Sequence, residues 1–139
     1  MFLLDTNVVS EARRPERLQG AAAAWLKAAN ADAMFISAAS ILEIEIGVRR
    51  LESRDPRRGE ILRRWKNDVM PAAFLGRILS VDETIAERCA AMHVPNPRPL
   101  LDSIIAATAI VHGLILVTRN VGDFAGMGAR LLNPWDAAN

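Results

Sequence analysis

The chain has 139 residues, of which 51% are hydrophobic, and this is enough apolar material for the core of one domain of ordinary size. Seventeen lysine and arginine residues against sixteen aspartate and glutamate residues give a formal net charge of +1, which neither requires nor excludes a polyanionic partner. A single cysteine excludes an internal disulfide, and two full domains are not expected at this length, so we predict one domain over residues 1–139.

Short apolar runs predict the strands of a buried parallel sheet. The runs show little alternation between apolar and polar residues, which is typical of strands covered on both faces. Long helix-like segments separate three of them, as expected for parallel strands joined by crossover helices. The predicted strands are residues 2–4, 34–36, 78–81 and 114–117, with a short fifth strand at 130–132.

Helical periodicity predicts five helices between the strands, over residues 21–29, 38–51, 58–69, 84–92 and 101–112. In the second of these helices Ile41, Ile44, Val48 and Leu51 form one apolar stripe. Asp82 is well placed to cap the start of the fourth. The fold class predicted from these patterns is α/β with a parallel sheet of four to five strands.

The opening run after Met1 has no basic region, no long apolar core and no small-residue cleavage site, so we expect no signal peptide. No apolar stretch approaches the roughly 18 to 20 residues needed to span a bilayer. We therefore expect a cytoplasmic protein without a membrane anchor.

Four acidic residues far apart in sequence are the candidate functional residues: Asp5, Glu43, Asp102 and Asp123. Asp5 ends the first strand and Asp123 follows the fourth after a short turn, and ligands in open α/β sheets collect beyond the carboxyl ends of strands. Asp102 lies in the first turn of a helix, where the helix dipole favours a carboxylate. Glu43 lies in the second turn of its helix and could reach the same crevice. We expect the four side chains to converge.

Carboxylates in this arrangement indicate a site for Mg²⁺ or Mn²⁺, because hard divalent cations choose oxygen ligands. Two histidines and one cysteine are too few and too distant for a zinc site. Taken singly, Asp5 could simply cap a helix beginning after Asn7, Asp102 could complete a helix N-terminus, and Glu43 and Asp123 could form surface ion pairs.

Two groups of basic residues could contact RNA. Eight lie between residues 49 and 66, where a solvated pair of helices is the favoured interpretation and a surface that docks an acidic or amphipathic segment of a partner protein is a third. Arg13, Arg14 and Arg17 follow the first strand, closer to the acids, and are the better candidates for phosphate contacts. The three tryptophans are expected in the core or at an interface, and Cys89 is expected to be inert.

The chain resembles PIN-domain proteins, specifically the FitB-like group of VapC-type toxins from type II toxin–antitoxin systems. The resemblance covers essentially the whole length, through the segments FLLDTNVVSE, ISAASILEIEIGVRR, GRILSVDE, LLDSIIAATAIVHGLILVTRNVGDF and LLNPW. It implies a three-layer α/β/α sandwich around the parallel sheet and Mg²⁺- or Mn²⁺-dependent endoribonuclease activity.

The resemblance also implies roles for individual residues. Asp5, Glu43, Asp102 and Asp123 correspond to the acidic quartet that binds metal and carries catalysis. Four further polar residues stand where the family hydrogen-bonds to metal ligands or to metal-bound water: Thr6, Asn7, Thr118 and Asn120. No departure from the family pattern occurs at the acids.

The partners implied are an RNA substrate, a second copy of the chain in a homodimer, and a small antitoxin that contacts DNA itself. Two other functions remain open on the residues alone. The first is another Mg²⁺-dependent nuclease or a phosphatase, since acids at strand ends serve all of these enzymes. The second is a non-catalytic module whose acids receive a basic peptide.

Overall fold

The sheet contains five short strands that are all parallel. The computed structural model describes residues 1–136, and its strands are β1 Phe2–Leu4, β2 Met34–Ser37, β3 Ile78–Leu79, β4 Ile115–Val117 and β5 Leu131–Leu132. Their order across the sheet is β3-β2-β1-β4-β5. From β1 the chain adds β2 and β3 on one side, then returns to place β4 on the other side of β1 and β5 beyond it. The junction between β1 and β4 is the switch point where ligands bind in folds of this kind.

Helices cover both faces of the sheet, which confirms the three-layer architecture. They are α1 Thr6–Ala12, α2 Gly20–Ala28, α3 Ala38–Arg54, α4 Pro56–Arg64, α5 Met70–Ala73, α6 Glu83–Met92 and α7 Leu100–His112. A π-helical turn, Trp65–Val69, joins α4 to α5. No helix within residues 1–136 is both long enough and apolar enough to cross a membrane.

Alternation along the central strands produces two cores. Successive side chains of a strand point to opposite faces, so the fully buried Leu3 packs in one apolar cluster while Leu4 packs in the other. The first cluster is completed by α6 and α7, with Ile85 and Ile105 fully buried. The second is completed by α1 and α3, where Val48 is fully buried. The sheet is thus held between two apolar layers, and its strand ends remain available for polar residues.

Local signals fix where several helices begin and end. Asp82 accepts a hydrogen bond from the backbone N–H of Ile85 at 2.9 Å, so the predicted cap of α6 is confirmed. Ser37 caps α3 in the same way through the N–H of Ala39 at 3.0 Å. Gly113 ends α7 in the left-handed conformation at φ 67°, which glycine adopts without a steric penalty.

Three elements differ from the sequence-based expectation. Helix α1 begins at Thr6. The sequence-based expectation did not include this helix among the predicted elements and allowed only that Asp5 could cap a helix beginning after Asn7. The third strand is shorter than predicted and spans only Ile78–Leu79. The predicted helix at 58–69 starts earlier, because Asp55 caps it and Pro56 occupies its first turn, and it gives way to the π-helical turn at Trp65.

The basic cluster at 49–66 is partly neutralised by the protein's own carboxylates. Arg63 binds Glu45 at 2.7 Å and Glu52 at 2.8 Å, which joins α4 to α3. Arg49 and Lys66 also bind Glu45, at 2.6 Å and 2.9 Å. Arg63, followed by Lys66, holds the pKa of Glu45 well below its usual range. The interpretation of this region as a pair of solvated helices fits the network.

Candidate active site

A cleft of about 410 Å³ opens beyond the carboxyl ends of β1 and β4. All four predicted acids line it. The complete lining is Asp5, Thr6, Asn7, Ser10, Glu11, Glu43, Asp102, Asn120 and Asp123. Residues separated by more than a hundred positions therefore meet at the switch point of the sheet.

Asp5 is the most buried of the acids, with 6% of its surface exposed. One carboxylate oxygen accepts the backbone N–H of Thr6 at 2.8 Å, which makes Asp5 the cap of α1. The other accepts the hydroxyl of Thr118 at 2.8 Å. Burial raises the pKa of Asp5 above its ordinary value, while the bonds from Thr118 and Thr6 act in the opposite direction. The carboxylate is thus held in one orientation at the floor of the cleft.

Asp102 faces the same cleft from the first turn of α7. Burial, and after it the negative charges of Asp5, Glu43 and Asp123, raise the pKa of Asp102 to about 6. These acids line one cleft and therefore lie within electrostatic range of one another. A site with this much unbalanced negative charge favours a bound cation.

Glu43 is positioned by Thr6. The Thr6 hydroxyl lies 2.7 Å from Glu43 Oε1 and 2.9 Å from the hydroxyl oxygen of Ser40. A threonine hydroxyl has one proton, so Thr6 donates to the carboxylate and accepts from Ser40. Two residues of α3 and one of α1 therefore form a short chain that ends at the acid.

Asp123 and Asn120 approach the cleft from the segment after β4. Asp123 lies in a 3₁₀ turn, Val121–Phe124, and is exposed. The backbone N–H of Asn120 donates to the Thr118 hydroxyl at 3.0 Å, which orients that hydroxyl towards Asp5. The structure thus brings Thr6, Thr118 and Asn120 beside the acids.

Two further cleft residues were missed by the sequence analysis. Ser10 and Glu11 lie on α1 and line the cleft. Glu11 follows Asn7 by four residues, and residues at this spacing share one face of a helix. The signal was present, but it depends on recognising that residues 6–12 form a helix.

The donor set fits a hard divalent cation. All four acids offer carboxylate oxygens, and no histidine or cysteine lines the cleft. The side-chain oxygen of Asn7 is buried without a hydrogen-bond partner among the described residues, and so is one oxygen of Glu11. Buried acceptors without a donor are rare and indicate a missing cation or water.

The carboxylates line the cleft but are not grouped around a single point. Within residues 1–136, no three aspartate, glutamate, histidine or cysteine side chains are grouped closely enough to hold a metal ion. Like charges in a partly buried site repel one another. Binding an ion in the cleft therefore requires rotation of some of these side chains towards it.

Comparison with known proteins agrees with the fold. The family model described as the PIN domain matches residues 2–128. The chain is 34% identical over 140 residues to Toxin FitB of Neisseria gonorrhoeae, covering 97% of this chain and 99% of that protein. It is 31% identical over 143 residues to VapC ribonuclease Y4jK of Sinorhizobium fredii, covering 99% and 100%.

Solved structures show the same architecture. The crystal structure of FitAcB from Neisseria gonorrhoeae matches with a TM-score of 0.85 at 31% identity, covering 98% of this chain and 99% of the matched chain. A toxin–antitoxin complex from Klebsiella pneumoniae matches with a TM-score of 0.66 at 27% identity, covering 97% and 98%. Both matches extend over nearly the full length of the chain.

Proposed function

The chain belongs to the PIN-domain family, and from that premise we propose that it is a Mg²⁺- or Mn²⁺-dependent endoribonuclease that acts as the toxin of a type II toxin–antitoxin pair. One observation carries the proposal. Four carboxylates from four separate segments line a single cleft at the sheet's switch point. A relative of nearly equal length is named a ribonuclease, which supports RNA as the substrate.

The residues of the cleft have distinct parts in the proposed reaction. Asp5, Asp102 and Asp123 would hold the cation, and Asp5 would be the fixed member because both of its oxygens accept hydrogen bonds. A divalent cation bound there would polarise a phosphodiester and activate a water. Glu43, held by Thr6, binds the cation directly or orients the attacking water. Thr118 keeps Asp5 in place.

The direct test compares RNA cleavage by the wild-type protein and Asp5→Asn, purified side by side, with Mg²⁺, with Mn²⁺ and with EDTA. The wild-type protein is expected to cleave single-stranded RNA only when the metal is present. Asp5→Asn is expected to lose at least 100-fold in rate, since it removes a charged ligand. Equal cleavage by both proteins would sink the assignment of the site.

A substrate panel separates the proposal from its two rivals. Single-stranded DNA, flap DNA and small phosphate esters are assayed beside RNA. Preference for DNA or for phosphate esters would indicate another metal-dependent phosphoryl-transfer enzyme. Absence of Mn²⁺ binding in isothermal titration would instead indicate a module that only receives a basic peptide.

We further propose that the partner is a small antitoxin and that contact with DNA is made by the antitoxin. A solved structure of this fold is a toxin–antitoxin complex, which supports this assignment. An arginine from the antitoxin could pair with the acids of the cleft and displace the cation. A short reading frame immediately upstream that encodes a DNA-binding protein is the expected genomic context, and undiminished metal affinity in the complex would contradict the displacement.

A homodimer in the cytoplasm completes the proposal. An open apolar groove of about 380 Å³ lies between α6 and α7, where Val81 and Leu100 are exposed. Exposed apolar surface of this kind is typical of a contact with another chain. Light scattering on the isolated protein is expected to give the mass of two chains, and the mass of one chain would exclude the dimer.

A further inference from the structure

A second pocket, of about 580 Å³, adjoins the acidic cleft. We call it the basic pocket. It is lined by Ser10, Glu11, Arg13, Arg14, Arg17, Leu18, Gln19, Arg119 and Trp135. Ser10 and Glu11 line both cavities, so the two lie side by side along helix α1. A linear ligand that occupies the cleft can therefore continue into the basic pocket.

Two of the four arginines in this pocket already have partners. Arg119 binds Glu11 Oε1 at 2.9 Å, and its guanidinium lies 5.2 Å from the ring centroid of Trp135. The guanidinium of Arg13 lies 5.8 Å from the ring centroid of Trp65. These contacts fix both side chains in the pocket wall.

Arg14 and Arg17 are different. Within residues 1–136, neither forms an ion pair with a carboxylate. Burial lowers the pKa of Arg13 below its ordinary value, and the positive charges of Arg14 and Arg17 lower it further. The pocket thus presents positive charge that the protein itself does not neutralise.

The spacing between the two cavities suits a nucleic-acid strand. Helix α1 extends from the cleft towards the basic pocket, and the five steps from Asn7 to its last residue, Ala12, correspond to about 7.5 Å at the rise of an α-helix, with Arg14 two residues further on. A phosphate bound by Arg14 would therefore lie within a few nucleotides of one bound in the cleft. Single strands are commonly held by cationic grooves that follow the backbone.

We propose that Arg14 and Arg17 bind a backbone phosphate of single-stranded RNA close to the phosphodiester that is cleaved. This inference rests on the proposed ribonuclease function and adds the direction in which the substrate leaves the cleft, along α1 and past Glu11. Arg119, held by Glu11 and Trp135, forms part of the pocket wall. The sequence preference of cleavage is set elsewhere, because phosphate contacts carry no base information.

An acidic segment of a protein partner is the alternative occupant of the basic pocket. A segment with only acidic residues would have to pass next to the four carboxylates of the cleft, which would repel it. A nucleic-acid strand would instead place a phosphate against the cation that the proposed function assigns to the cleft. The contiguity of the two cavities therefore favours RNA.

The test measures binding of a 12-nucleotide phosphorothioate single-stranded RNA, which resists cleavage, by fluorescence anisotropy in Mg²⁺ between about 50 and 200 mM salt. Arg14→Ala/Arg17→Ala is expected to weaken binding about tenfold and to reduce the slope of log affinity against log salt by about 1.4, or about 0.7 for each lost phosphate contact. Arg14→Lys/Arg17→Lys should retain the slope. With cleavable RNA, the alanine pair should raise KM about tenfold and leave kcat within about twofold.

The matched control is Lys27→Ala/Arg130→Ala, which removes the same charge from two exposed residues that precede β2 and β5, at the edge of the sheet opposite the cleft. It is expected to change affinity by less than about threefold. Equal losses in the two alanine pairs would overturn the proposal, and so would loss of binding to an Asp/Glu-rich peptide with RNA affinity unchanged. Thermal unfolding confirms that each variant is folded. Absence of RNA cleavage by the wild-type protein would refute the proposed function and is read out separately from this binding.

Discussion

The hydroxyl of Thr118 donates a hydrogen bond to Asp5 Oδ2 at 2.8 Å and joins the carboxyl ends of two neighbouring strands. Thr118 is fully buried, and Asp5 is nearly so. The bond lies at the junction between β1 and β4, which is the switch point of the sheet. One hydroxyl thus couples the register of β1 and β4 to the orientation of the acid at the floor of the cleft.

Replacing Thr118 by valine should damage both stability and catalysis. The variant keeps the shape of the side chain but leaves a buried carboxylate oxygen without its donor, which costs about 1–3 kcal/mol in the free energy of unfolding. Loss of a partner that orients a metal ligand typically lowers activity about 10–100-fold. Urea unfolding and RNA cleavage measure the two effects. Thr118→Ser retains the hydroxyl and should stay close to wild type, and a valine variant as active as the serine variant would contradict this role.

The raised pKa of Asp102 predicts how the stability of the metal-free protein depends on pH. A carboxyl whose pKa rises from 3.8 in the unfolded chain to about 6 in the fold costs no stability below the first value. The cost grows as the pH rises through this window and is complete above about 6. In EDTA, Asp102→Asn should therefore melt several degrees above wild type at pH 7.5, and the difference should shrink as the pH falls and vanish well below 3.8.

Added Mn²⁺ should stabilise the wild-type protein. An ion that binds only the folded state at about 100 times its Kd adds about 2.7 kcal/mol to the free energy of unfolding. Protons compete for Asp102, so the affinity for Mn²⁺ should fall as the pH falls below about 6. Thermal melts with and without Mn²⁺ check both statements. A stabilisation by Mn²⁺ that persists in an Asp5→Asn/Asp102→Asn double variant would place the ion outside the cleft.

Two helical glycines should respond in opposite ways to alanine. A Cβ at Gly59 of α4 would lie 2.5 Å from the Cα of Glu52, whereas a Cβ at Gly47 of α3 would meet no atom within 4 Å. Gly59→Ala should therefore cost about 1–3 kcal/mol, because the two helices would have to separate. Gly47→Ala should gain about 0.5–1 kcal/mol from the lower entropy of the unfolded chain. Chemical denaturation of both variants tests the pair, and a stabilising Gly59→Ala would show that α3 and α4 are not closely packed.

The strands were predictable from sequence because parallel strands buried on both faces form continuous apolar runs. The runs at Phe2–Leu4 and Ile115–Val117 carry this signal clearly, and the predicted parallel sheet is confirmed. The order of the strands does not follow from such runs. It depends on packing between residues distant in sequence, such as Leu3 and Leu116.

Helix α1 escaped prediction for a local reason. Its two buried residues, Val8 and Val9, are β-branched and adjacent, so the segment resembles the end of a strand more than the face of a helix. From the sequence, a helix cap and a metal ligand are alternative roles for Asp5. In the structure the Asp5 carboxylate both caps α1 and lines the cleft. The basic pocket and Glu11 depend on the course of this helix and could not be located without it.

The outermost strands β3 and β5 contain two residues each. A sheet with such short margins offers an incoming chain almost no row of free backbone N–H and C=O groups to extend. We therefore expect a protein that associates with this domain to contact side chains on the helices of the domain. The specificity of such binding depends on individual side chains. A few surface substitutions can therefore stop related protein–partner pairs from binding one another while the sheet stays unchanged.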